Sequence, residues 1–169
     1  MDYDAPRGRP LGYDCGTWAR AGGAGRGAVY EEDYLLRIIQ QMGVFLRAML
    51  AAQRDHRPDE VRETSREALT LLLGVPPAIT DSLTPDGLVT LLSVGGRFEI
   101  VRAVLAAEVF VRRAMADRMS GLAESAAADE GRARRLLDEV IETGGDANVE
   151  RAQALLAELE GTAAEGTAR

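Results

Sequence analysis

The stretch EEDYLLRIIQQMGVFLRAMLAAQ, residues 31–53, decides the fold class. Leu35, Ile38, Ile39, Met42, Phe45, Leu46, Met49 and Leu50 recur at steps of three and four, the spacing of an amphipathic helix. Glu31, Glu32 and Asp33 precede that run, where acidic side chains meet the positive end of a helix dipole, so a first turn is expected there. Gly43 inside such a helix costs about 1 kcal/mol relative to alanine, and its presence predicts close helix packing at that point.

The same grammar continues toward the C-terminus. Arg54-Asp55-His56-Arg57 is a tight polar connection, and Pro58 followed by Asp59 and Glu60 suits the first turn of a second helix. Val61, Ser65, Ala68, Leu69, Leu72 and Leu73 mark its apolar face, and Gly74 supplies a stop. The short link predicts that these two helices lie antiparallel. Val75-Pro76-Pro77 interrupts the helical pattern, and residues 78–83 have room for one turn. Thr84-Pro85-Asp86 is a start signal for a short helix carrying Leu88, Leu91 and Leu92, ended by Gly95-Gly96. Residues 97–120 read as a long helix whose broad apolar surface, from Phe98 to Met119, implies two neighbours. Gly121 bends or ends it, Asp129 is expected to open a further helix that closes at Gly144-Gly145, and Asp146 to cap the last, which Gly161 ends. No β-branched alternation flanks a two-residue turn, so the body is expected to be all-α.

Composition narrows the chemistry. A chain of 169 residues buries enough surface to fold without disulfides or metals, and its one cysteine and one histidine exclude a disulfide framework and a Cys/His zinc site. With 27 acidic against 20 basic residues, a net charge of −7 disfavours polyanionic partners. Every basic residue is arginine, a usage that codon bias in a GC-rich genome explains without a ligand. No uninterrupted run of 18 apolar residues and no signal-like opening occurs, so a cytoplasmic protein without a membrane partner is expected.

The opening residues differ in kind. Residues 1–28 carry Gly8, Gly12, Gly16, Gly22, Gly23, Gly25 and Gly27, with Pro6 and Pro10 and no apolar periodicity. They lack the Gly-Lys-Ser/Thr ending of a phosphate loop. Residues 1–29 are therefore expected to be a disordered extension or, with translation beginning near Val29, a gene-model artefact; recovery of a native peptide containing Trp18 would overturn the second reading. Residues 30–161 form the expected single helical domain, and residues 162–169 a frayed tail.

Helical hairpins of this length suggest a repeat. Ala68-Leu69 with Leu72-Leu73 recurs as Leu136-Leu137 with Val140-Ile141, 68 residues on (136 minus 68), twice the tetratricopeptide period of about 34. The stretch Glu32-Asp33-Tyr34-Leu35-Leu36-Arg37-Ile38-Ile39-Gln40-Gln41, with Glu67–Gly74 and Leu83-Thr84-Pro85-Asp86-Gly87-Leu88, resembles an uncharacterised bacterial family that carries a domain of unknown function. The resemblance covers residues 30–145 and implies a tetratricopeptide-like body of stacked antiparallel hairpins, about six helices in all. It implies no activity and no catalytic residue, and this chain departs from the repeat pattern after Gly121.

Candidate site residues each have an ordinary explanation. His56 beside Asp55 reads as an exposed loop histidine, and Cys15 has no cationic neighbour to activate it. Glu108 sits among apolar residues and is expected to pair with Arg112 one turn on. Arg112, Arg113 and Arg118, and Arg132, Arg134 and Arg135, read as a solvated face neutralised by nearby acids. No residue is assigned as catalytic, cofactor-binding or metal-binding, and no cofactor is expected. The expectation is a non-enzymatic protein–protein interaction or scaffold module; the alternative is a homo-oligomer that buries residues 98–119 or 35–50 against another copy.

Overall fold

The computed structural model describes residues 24–167, with side chains from Asp33 to Gly161 apart from Val94. The expected extension falls mostly on residues 1–23, which lie outside the described residues together with Cys15 and Trp18. The elements are α1 (Ala24–Arg54), α2 (Pro58–Leu73), α3 (Pro77–Ser82), α4 (Pro85–Leu91), β1 (Ser93–Val94), β2 (Arg97–Phe98), α5 (Ile100–Met119), α6 (Ala123–Thr143) and α7 (Asp146–Thr167). The protein is all-α, with seven helices among the described residues. Contacts divide the chain between Leu35 and Leu36, and all described core residues belong to the second unit.

Local signals placed several helix ends. Pro58 stands at the first position of α2, and Gly74 closes that helix in the left-handed conformation, its N–H bonded to the Thr70 carbonyl. Thr84 caps α4 by accepting a hydrogen bond from the Gly87 N–H at 3.1 Å.

Other boundaries differ from expectation. Helix α1 begins at Ala24, so Glu31, Glu32 and Asp33 lie beyond its first turn, and α7 runs through Gly161 to Thr167. A single glycine weakens a helix by about 1 kcal/mol, which its alanine-rich neighbours offset. Helix α6 opens at Ala123, six residues before Asp129, whose carboxylate pairs with Arg113 instead of capping a helix end. Gly95-Gly96 also does more than end a helix. With φ of 59° and 78° it forms the two-residue loop of a small antiparallel hairpin, pairing Ser93 with Phe98 and Val94 with Arg97. The strands are two residues each, too short to show alternation.

The core is built around α5. Its Ala103, Ala106, Ala107 and Ala116 let neighbouring backbones approach, while Val109, Phe110 and Val111 fill the spaces between them. Helices α2, α6 and α7 all pack against it and Gln53 of α1 reaches its Arg112 carbonyl, so its neighbours outnumber the two that its apolar width implied. Leu69 and Leu72 of α2, and Leu136, Leu137 and Val140 of α6, are buried in the same core. The two stretches that match in sequence thus sit on helices that share α5 as a neighbour. Leu69→Asp is expected to destabilise the fold by several kcal/mol through an unpaired buried charge, whereas Leu69→Ala costs about 2–5 kcal/mol; urea titration followed by circular dichroism measures both.

Candidate functional site

Two features stand out: a buried set of ion pairs, and a helix more apolar than its burial requires. The ion pairs centre on Arg113, which is 7% exposed. Its Nε and Nη2 donate to the two oxygens of Asp129 at 2.6 and 2.7 Å, a bidentate pair, and Nη1 donates to Asp81 at 3.0 Å. The guanidinium lies 5.3 Å from the Phe110 ring centroid. Arg132 donates to Asp129 from Nη1, to the Leu83 carbonyl from Nε and to the Asp81 carbonyl from Nη2. One carboxylate thereby ties α5 to α6, and two arginines hold the end of α3 against both. Burial works against the charge on Arg113, but the bonds to Asp129 and Asp81 outweigh it, and its pKa lies above the usual arginine value.

A cleft of about 420 Å³ opens over this set, lined also by Arg62, Arg66, Asp117 and Ser125. Asp117 is buried and accepts a hydrogen bond from the Ser125 hydroxyl at 2.6 Å; Arg62 reaches Ser120 Oγ at 2.8 Å and stands 3.5 Å from Asp117. Each guanidinium nitrogen of Arg113 and Arg132 is committed to an acceptor within the protein. These bonds hold α3, α5 and α6 together beneath the cleft.

A second set joins α5 to α7. Glu108 is buried and pairs with Arg112 as expected, at 3.9 Å, and Arg151 of α7 is its nearer cation at 2.5 Å. Arg112 forms a bidentate pair with Glu158, and its carbonyl accepts from Gln53 Nε2 of α1 at 3.2 Å. The expectation of a solvated arginine face is corrected in this respect: the face is neutralised, but Arg112 and Arg113 lie inside it. Their acidic partners, Glu158 and Asp129, lie on other helices, a separation that helical spacing within one element does not reveal. Arg118 reaches Glu130 at 2.6 Å and Arg135 reaches Asp86 at 2.7 Å, both across helices as well.

His56 is exposed in the turn between α1 and α2, with φ of 55°, and its Nδ1 lies 3.1 Å from the Arg54 carbonyl. Asp55 pairs with Arg57, so the adjacent Asp and His form no dyad. Among the described residues no group of His, Cys, Asp and Glu has the placement of a metal site.

The second feature is α1. Residues 33–54 are long and apolar enough to cross a membrane by length and composition, although no uninterrupted apolar run of that length exists. Its most apolar window of 18 residues is 22% buried. Ile38, Met42, Met49 and Ala52 enter the core, whereas Leu36, Ile39 and Val44 are exposed. Comparison with known proteins adds no relative: no family model, no curated protein and no solved structure matches the chain.

Two outcomes test this description. Asp129→Ala removes the bidentate partner of buried Arg113, leaving it Asp81, and should cost about 3–5 kcal/mol in urea titrations, while a joint Arg113→Met and Asp129→Leu replacement should recover most of that loss. His56→Gly, which relieves the left-handed backbone, should leave stability unchanged or raise it by up to about 1 kcal/mol.

Proposed function

We propose that this protein is a non-enzymatic interaction module, a helical scaffold that presents the outer face of α1 to a macromolecular partner. The carrying observation is that residues 33–54 are apolar along their length while Leu36, Ile39 and Val44 stay exposed. Apolar surface left in water is the usual mark of a docking face. Leu36 is 56% exposed and Ile39 40%, neighbours on one side of the helix. The alternative oligomer through residues 98–119 loses support, because α5 spends its apolar surface on α2, α6 and α7. A tetratricopeptide-like body suits this role: α5 with α6, and α6 with α7, form successive hairpins joined by short turns, and such units lend their faces to partners.

A photo-reactive residue at position 36 or 39, set against one at Asp138 on an exposed part of α6, tests the reading in cells. Adducts to another polypeptide (a second copy included) are expected from α1 and absent from α6. Equal labelling from both positions, or none from α1, would overturn the proposal.

A further inference from the structure

The cleft over Arg113 is lined by four arginines against three aspartates, in a chain whose net charge is −7. The three acids are already covered. Asp129 accepts from Arg113 and Arg132, Asp81 from Arg113, and Asp117 from Ser125, with Arg62 at 3.5 Å. The fourth arginine, Arg66, has no acid within the cleft. Its one partner is exposed Glu63 on the same helix, which accepts from Nη1 at 3.0 Å. Nε and Nη2 of Arg66, and Nε of Arg62 one turn before it on α2, make no hydrogen bond among the described residues. The opposite wall is the start of α6, where Leu122 and Ser125 line the cleft. Leu122 precedes the helix and offers no side-chain cap, and Ser125 gives its hydroxyl to buried Asp117. The first-turn N–H groups of this 21-residue helix are thus left without a side-chain acceptor among the described residues.

We infer that this cleft binds a small molecule through one oxyanion group, a carboxylate or a phosphate, independently of any partner on α1. Arg66 and Arg62 supply charged donors from α2, and the opening turn of α6 supplies backbone donors and the positive end of its dipole. The floor beneath is rigid, because Arg113, Asp117 and Asp129 are all buried and bonded to one another's helices. A volume of about 420 Å³ admits a metabolite-sized molecule, whose uncharged part meets Leu122 and Ala128. A cationic ligand fits less well, since each carboxylate it would need already has a donor. A polyanion fits less well for another reason: the chain as a whole repels extended negative charge, whereas one oxyanion is held by donors a few ångströms away. Glu63 is the competitor for Arg66, and the ligand takes its place on that guanidinium. Glu124, the acid in the first turn of α6, is exposed and does not line the cleft.

The test titrates the full chain with sodium phosphate, and separately with sodium acetate, at an ionic strength held constant with sodium chloride. In nitrogen-edited NMR spectra the amide signals of Ala123, Glu124 and Ser125 should move and saturate. Saturation by phosphate alone assigns a phosphoryl ligand, by acetate alone a carboxylate, and by both an oxyanion of either kind. Arg66→Gln, at an exposed position outside the core, should weaken the saturating probe by about tenfold. Glu63→Gln removes the competing carboxylate and should tighten it by a few-fold, an effect that a purely structural role for Arg66 does not give. Arg134→Gln removes the same charge from α6 outside the cleft and should leave the midpoint unchanged. Amide signals that do not saturate with either probe, or that move equally with chloride, would overturn the site. So would equal weakening by Arg66→Gln and Arg134→Gln, which reports net charge instead of a located ligand.

Discussion

A guanidinium held beneath the surface is the constraint on which the arrangement of the later helices depends. Arg113 must keep its charge and satisfy its nitrogens while almost wholly buried. It does so with Asp129 from α6 and Asp81 from α3. A pair of this kind adds little net stability over a well-packed apolar alternative, because desolvating both ions costs about what their attraction returns. What it supplies is direction. The bidentate geometry admits one register between α5 and α6, and Arg132 extends it to the backbone of the short segment after Pro76-Pro77. That segment has little apolar surface of its own, so polar anchors position it.

Alanine in α5 serves the same end. A helix surrounded by α2, α6 and α7 needs small side chains where backbones come close, with occasional large ones where they part. Ala106 and Ala107 beside Phe110 satisfy both needs. The low aromatic content of the chain follows, since a core assembled from closely spaced helices leaves few gaps of aromatic size. Arg112 and Glu108 are drawn inward by the same crowding, and the acidic and basic groups of α7 neutralise them. With the interior committed in this way, α1 keeps Tyr34, Leu36, Ile39 and Val44 exposed.

Much of the helical plan was legible from local chemistry. The starts at Pro58 and Thr84 and the stop at Gly74 each rest on a backbone N–H, carbonyl or φ requirement that one or two residues settle. The small hairpin escaped notice because its strands are too short to display a period; the one available signal was the Gly95-Gly96 pair, whose positive φ values suit a tight loop. Asp129 was misplaced for a related reason. An acid among small residues looks the same whether it caps a helix or faces an arginine from another one. The alternation of α1 was visible, but not that Leu36 and Ile39 stay exposed while Ile38, Met42, Met49 and Ala52 enter the core.

Periodicity, caps and breakers act over a turn or two of backbone, so the sequence by itself determined that this chain is helical and where most of its helices start and stop. It also determined, by carrying one cysteine and one histidine, which metal and disulfide chemistries were closed to it. Which stripe finds which partner depends on side chains far apart in the chain meeting in space. Only the tertiary structure therefore decided that Arg113 lies inside, that α2, α6 and α7 pack on α5, and that Ile38, Met42, Met49 and Ala52 of α1 enter the core while Leu36 and Ile39 stay exposed. Burial is a property of the assembled surfaces, and no single helix carries enough information to specify it.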